Sequence, residues 1–148
     1  MEIVVYRNTD EALYEQTLAL RNALLRQPYG FSIYDEDLSY ETGNYFFGAL
    51  DESGELLGTV NYFVPEPGIS QLCALAVRTD LQKQGIGRKL VSALFEDLQQ
   101  KNFKKCIVEA RESAVGFYEK TGFIIDAPIP NTRLGGIDWL MHRDLENI

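Results

Sequence analysis

The stretch Leu75-Ala-Val-Arg-Thr-Asp-Leu-Gln-Lys-Gln-Gly-Ile-Gly-Arg-Lys-Leu-Val91 constrains the fold of this chain more than any other. It reads as a buried strand, a short glycine-bearing loop and an amphipathic helix. The strand's end, Cys73-Ala-Leu-Ala-Val77, is apolar without alternation, the pattern of a central strand covered on both faces. From Gly85 onward Ile86, Leu90, Val91, Leu94, Phe95 and Leu98 keep helical spacing over more than three turns. Lys104 to Glu109, with Cys106-Ile-Val108 at its centre, supplies the next strand, so the helix connects a parallel pair.

Around that unit the remaining signals fall in a regular order. Val4 to Tyr6 belong to a first short strand, and Thr9 and Asp10 cap a helix running to about Gln27, with Leu13, Thr17, Leu20 and Leu24 on one face. Pro28, Gly30 and Asp35-Glu-Asp37 mark an exposed loop or a broken second helix. Tyr45 to Leu50, the turn Asp51-Glu-Ser-Gly54 and Leu56 to Val64 form a hairpin, and Pro65-Glu-Pro-Gly68 turns the chain into the strand Ile69 to Val77. Glu112 to Lys120 reads as a helix stopped by Gly122, with Phe123 to Ile125 and Ile137 to Arg143 as closing strands. The class is α+β, a mixed central sheet with flanking helices rather than a doubly wound one.

The 148 residues fit one domain, 1–148, with no repeat or linker. A net charge of −8 argues against general nucleic-acid binding, and no apolar run approaches the ~20 residues of a membrane helix. No basic-then-apolar leader opens the sequence, so cytoplasm is the expected compartment. Cys73 and Cys106 lie in separate strands without further ligands at metal-site spacing, so free buried thiols and no metal centre are expected.

Positive charge is local: Lys83, Arg88 and Lys89 surround the glycine loop. Such a loop exposes backbone N–H groups at the positive end of a helix, where phosphate oxygens bind. Taken alone, Gly85-x-Gly87 is equally compatible with a tight turn. The dinucleotide fingerprint fails because position 90 is leucine, and the Gly-Lys-Ser/Thr phosphate loop is absent.

A second element narrows the reading. Gln82-x-x-Gly85-x-Gly87 resembles the acyl-CoA pyrophosphate loop of the GNAT superfamily of N-acetyltransferases. Ala110-Arg-Glu-Ser-Ala-Val-Gly-Phe-Tyr-Glu-Lys-Thr-Gly-Phe123 resembles that family's other hallmark through Ala114, Phe117, Tyr118, Gly122 and Phe123. Leu20-Arg-Asn-Ala-Leu-Leu-Arg-Gln-Pro28, with Asp37-Leu and Glu41, is similar to the first helix of a bacterial branch of the family that implies no particular substrate.

The resemblance implies a GNAT fold with a splayed parallel strand pair and acetyl-CoA as co-substrate. The acetyl group would pass to a primary amine, of a small molecule or a peptide, by direct attack in a ternary complex. Main-chain groups of Leu75, Ala76 and Val77 would meet the pantetheine arm, the Val77 N–H polarising the thioester carbonyl. Gln82, Lys83, Gln84, Gly85, Ile86, Gly87 and Arg88 would hold the pyrophosphate, with Phe117 and Tyr118 closing the site. The Tyr118 hydroxyl would stand beside the CoA sulfur. A thiol of pKa about 8.5 is a stronger acid than a phenol of about 10, so full proton transfer costs roughly 2 kcal/mol, while a hydrogen bond to the leaving sulfur needs none. Lys83 stands where the family often has glycine, and Arg111 where it often has asparagine.

The strand before the loop carries Ser70, Gln71 and Cys73 where many members have a glutamate base. Glu41 and Glu109 are the candidates in its place, each with a solvated or ion-paired role as its alternative. His142 suits a structural role. Asp35, Glu36, Asp37 and Glu41 follow the first helix, the region that commonly walls the amine site in similar folds, and would favour a cationic acceptor. Pairing of two copies through exposed strands, common in similar proteins, is compatible with this fold. Two rivals stand beside the enzyme reading: an acyl-CoA sensor on the same fold, and an unrelated α+β binding domain.

Overall fold

Asp51 makes the hairpin turn after Leu50, its Oδ1 accepting from the N–H groups of Ser53 and Glu55 at 2.9 Å each. The structure, a computed structural model, describes residues 1–145. Its elements are β1 (Glu2–Tyr6), α1 (Glu11–Leu25), β2 (Tyr45–Leu50), β3 (Leu56–Glu66), β4 (Ile69–Val77), α2 (Ile86–Gln100), β5 (Lys105–Arg111), α3 (Val115–Lys120), β6 (Ile124–Pro130) and β7 (Ile137–Asp144). The strands form one mixed seven-stranded sheet in the order β1-β2-β3-β4-β5-β7-β6. The α+β class and the order of elements are as the sequence indicates. The chain divides into two units, Met1–Phe63 with Ala74–Leu94, and Val64–Cys73 with the chain from Phe95 on.

In the first unit β1, β2 and β3 pair antiparallel, burying Phe46, Phe47, Val60 and Tyr62. Asp10 caps α1 by accepting from Leu13 N–H. The helix buries Thr17, Arg21 and Asn22, while Leu13, Leu20 and Leu24 are half-buried, so the apolar stripe expected from spacing is not its innermost face. Polar partners explain the difference. The Tyr6 hydroxyl lies 2.6 Å from Thr17 Oγ1 and 3.0 Å from Thr59 Oγ1, Ile33 N–H donates to Asn22 Oδ1, and Arg21 meets a buried carboxylate. The helix stops at Leu25, ahead of Pro28. The segment after it is neither a simple exposed loop nor an α-helix but three short 3₁₀ turns, Gln27–Tyr29, Ile33–Asp35 and Ser39–Gly43.

Gly58 on β3 sets how α2 seats. A Cβ there would stand 3.1 Å from Leu90 Cδ1 and 3.2 Å from Ile86 Cγ2, so any larger residue would require these side chains to give by a few tenths of an ångström.

In the second unit β4 and β5 run parallel from Ile69↔Lys105 to Leu72↔Val108, and β7 continues the sheet antiparallel to β5. Leu72, Cys106, Val108, Ala110, Phe123 and Met141 form its core. The helix expected over 112–120 is split into a 3₁₀ turn, Glu112–Ala114, and α3. Strand β6 outruns its expected end at Ile125 and includes Pro128 and Pro130, which an edge strand tolerates because one side needs no N–H donor.

The sequence reading of Cys73–Val77 as covered on both faces is corrected. Only Ala76 is buried, and Cys73, Ala74, Leu75 and Val77 are half-exposed. Ala74 carries φ 54, a left-handed kink that breaks the strand's pleat and is a recurrent sign of a bulge beside a site.

Candidate active site

Helix α2 begins without a cap. Its first backbone bond runs from Lys89 N–H to Gly85 O at 3.0 Å, which leaves the N–H groups of Ile86, Gly87 and Arg88 without an intrahelical acceptor. Gly85, the residue in cap position, has φ 84 and no side chain to satisfy them. Chain neighbours aside, nothing among the described residues lies within 4 Å of the place where its Cβ would be. Lys83, Gln84, Arg88 and Lys89 are exposed. Among the described residues, Lys83, Arg88 and Lys89 have no carboxylate partner. Arg78, by contrast, is occupied by Asp80 at 2.8 Å and Glu55 at 3.3 Å. Orphan donors, the positive helix end and cations without a carboxylate partner are the features that attract anions.

Two features fix the loop. Ile86 is 6 % exposed and anchors the helix start on Gly58. Gln82 Nε2 donates to Val77 O at 3.2 Å, tying the loop to the end of β4. Lys83 sits at φ 68, a left-handed position glycine would hold more cheaply. Arg78 N–H donates to Leu57 O at 2.9 Å, so Arg78 and Ala76 address β3. By strand alternation the main-chain groups of Leu75 and Val77 point to the other edge of β4.

In the second unit α3 carries Phe117 and Tyr118. The Tyr118 ring packs edge-on against Phe117 and Phe123, with centroids 5.2 and 5.4 Å away. The residue is 5 % exposed, and its hydroxyl has no hydrogen-bond partner among the described residues. Burial pushes the phenol well above its ordinary pKa, and the thiols of Cys73 and Cys106 push in the same direction. The group is therefore a neutral donor at any physiological pH. The thiol of Cys106, fully buried, is itself pushed up to about 11 by burial. Among the described residues neither cysteine forms a disulfide, and Cys73 is half-exposed where a buried thiol was expected.

Glu41, a base candidate from the sequence, is buried and held in an ion pair. Arg21 Nη1 and Nη2 donate to its two oxygens at 3.0 and 2.9 Å, and the Tyr14 hydroxyl donates to Oε1 at 2.6 Å. Both side chains of the ion pair are 3 % exposed, so no oxygen is left to receive a proton from an amine. Glu36 is likewise paired with Arg26. Of the acidic run after α1, Asp35 and Asp37 alone have no cationic partner among the described residues, and the Ser39 N–H holds the Asp37 carboxyl below the usual carboxylate range. His142 is paired with Asp126 through Nδ1 at 2.8 Å. Arg111 is committed to Asp138 Oδ1 at 3.0 Å and Gly135 O at 3.1 Å.

Sequence reasoning missed the role of Gly58, which glycine spacing in a strand does not advertise. It also missed the contact of Gln71 Nε2 with Glu109 Oε2 at 2.9 Å, which only the parallel register reveals. Among the described residues no group of three or more His, Cys, Asp or Glu side chains is placed to hold a metal, and no helix is long and apolar enough to cross a membrane.

Residues 12–123 match the model of the acetyltransferase (GNAT) family. The chain is also similar to solved structures of the same fold. An aminoglycoside 6'-N-acetyltransferase complexed with coenzyme A shares 18 % identity, with 98 % of this chain and 97 % of that one covered at a TM-score of 0.83. The aminoglycoside 6'-N-acetyltransferase from Enterococcus faecium shares 19 %, covering 98 % and 97 % at 0.80. Tetrahymena GCN5 shares 18 %, covering 100 % and 99 % at 0.79.

Proposed function

We propose that this chain, which belongs to the GNAT acetyltransferase family, acts as one domain over residues 1–148 and moves the acetyl group of acetyl-CoA to a primary amine by direct attack in a ternary complex. Membership makes it an acyltransferase and acetyl-CoA its co-substrate. The observation that carries the finer reading is the uncapped start of α2 behind Gly85, with Lys83, Arg88 and Lys89 uncommitted. Those groups fit a pyrophosphate, whose oxygens would satisfy donors that the protein itself leaves idle. The Val77 N–H, on the edge of β4 away from β3, would polarise the thioester carbonyl. Tyr118 would donate a hydrogen bond to the departing sulfur. With its pKa raised by burial, full proton transfer is even less favourable than between the free groups, so it acts by that hydrogen bond.

The acceptor is a cationic amine, favoured by Asp35, Asp37 and the net charge of −8. Acetylation of aminoglycosides by similar proteins is in line with this. Work on small amines or peptides rather than nucleic acid, a cytoplasmic location, and pairing of two copies along the exposed edge strand β6 complete the proposal. The test is a turnover screen with acetyl-CoA across amine classes, read by thiol release. Release that depends on a cationic amine is expected, and preference for an anionic acceptor would refute the acceptor class.

A further inference from the structure

We propose that Glu109 is the general base of the transfer and that Gln71 is its positioning residue, an inference that rests on the acetyl-transfer reading above. Gln71 on β4 and Glu109 on β5 stand on parallel neighbours, and the Gln71 amide donates to Glu109 Oε2 at 2.9 Å. The register places Gln71 beside Ile107. Side chains alternate along a strand, so Gln71, Ile107 and Glu109 share one face, while Leu72, Cys106, Val108 and Ala110 occupy the other and are buried. Helix α3 packs on β5, and Tyr118 is buried, close enough to the Cys73 and Cys106 thiols for both to perturb the phenol. The phenol is thus buried beside the strand pair while the carboxylate stands exposed on it. A reaction in which the nucleophile must lose protons while sulfur departs elsewhere on the same carbon needs its base and its hydrogen-bond donor separated in this way.

Glu41, the other candidate, is held in an ion pair, and so are two further acidic side chains of the sheet. Glu41 is held by Arg21, Asp126 by His142 and Asp138 by Arg111. Glu109 is exposed and has no ion pair among the described residues. Only its Oε2 is held, by a neutral amide that fixes the carboxylate without neutralising it, which leaves Oε1 to take a proton.

The step balances without any further reactant. The acceptor ammonium gives one proton to Glu109, directly or through one water. The freed nitrogen lone pair forms the C–N bond at the acetyl carbon, and the C–S bond breaks with its electron pair leaving on sulfur, where the Tyr118 hydroxyl donates. The remaining extra proton on nitrogen passes to the thiolate, giving the amide and free CoA thiol. Glu109 returns its proton to solvent.

The experiment uses the full chain, acetyl-CoA and the best amine from the screen, with kcat, both KM values and melting temperature read for each variant. Glu109→Gln should lower kcat by about 10²-fold and leave acetyl-CoA KM and melting temperature near native. Gln71→Leu should lower kcat by about tenfold with little change in either KM, since a hydrogen bond with a purely structural role would move stability instead. The exchange Gln71→Glu with Glu109→Gln keeps the pair and returns the carboxylate from the neighbouring strand, so kcat should recover at least tenfold over Glu109→Gln. Native kcat in Glu109→Gln overturns the assignment, as does an exchange variant that folds and stays as slow as Glu109→Gln. Absence of thiol release by the native protein with every amine is a different failure, which overturns the functional reading itself and this inference with it.

Discussion

Replacing Glu41 by glutamine separates a structural carboxylate from a catalytic one. In the native protein both carboxylate oxygens accept from Arg21 and one also accepts from Tyr14, all within a region where the ion pair is 3 % exposed. Glutamine keeps the shape and one acceptor oxygen but removes the charge, leaving the Arg21 guanidinium buried without its counterion. Breaking a buried pair from one side costs about 3–5 kcal/mol. Unfolding entropy near 2.1 cal/mol/K per residue over 148 residues is about 0.3 kcal/mol/K, so 3 kcal/mol lowers the melting temperature by about 10 °C. Removing both charges with Arg21→Met and Glu41→Leu should restore much of that loss, because the desolvation of both ions disappears together. Thermal unfolding by circular dichroism and kcat at a temperature where each variant is folded are the assays. A Glu41→Gln variant that melts like the native protein and loses kcat would refute the anchoring role and return Glu41 to the chemistry.

Two further outcomes follow from the loop and the core. Gly85→Val should weaken acetyl-CoA binding at least tenfold by calorimetry, because its Cβ strains a left-handed φ and its methyls enter the space beside the orphan donors, whereas Lys89→Ala should change affinity little; equal affinity in native and valine proteins would remove the phosphate role. Cys106 holds its proton to about pH 11 when folded but releases it near 9 when unfolded, so its contribution is complete below pH 9 and is lost as pH rises through 11, by up to about 3 kcal/mol. The raised phenols of Tyr6, Tyr14 and Tyr118 act in the same direction above pH ~10. Melting temperature should therefore fall between pH 9 and 11, less steeply in Cys106→Ala, and an identical slope in the variant would contradict the burial of this thiol.

How much of this was legible in the sequence depended on whether a signal was local. The Asp51–Gly54 turn, the apolar strands beside it and the long apolar stripe of α2 are local, and β2 and β4 begin and end where those signals place them. Spacing marks Thr17 in α1 together with Leu20 and Leu24, but it misses the buried Arg21 and Asn22, which are polar and are satisfied by Glu41 and by the Ile33 N–H, groups distant in the chain. The same distance hid the fate of Glu41 and the pairing of Gln71 with Glu109. Prolines 128 and 130 argue against a strand unless its edge position is known. The apolar run Cys73–Val77 carries no mark of the kink at Ala74, whose side chain gives no hint of a left-handed φ. The motif residues of the loop and of α3 were legible as a pattern, but their idle donors, the open space at Gly85 and the unpartnered Tyr118 hydroxyl are properties of the fold.

That hydroxyl offers the most direct test of acetyl transfer at this site. Tyr118→Phe removes one oxygen from a ring packed against Phe117 and Phe123, and the oxygen has no hydrogen-bond partner among the described residues to lose. Folding should be little affected, since no hydrogen bond is lost. Stabilisation of charge that develops on sulfur only in the transition state acts on kcat and not on substrate binding. The measurement is kcat, acetyl-CoA affinity and melting temperature on one preparation. The expected result is a fall in kcat of about 10²-fold with affinity and melting temperature preserved, and a phenylalanine variant turning over at the native rate would contradict it.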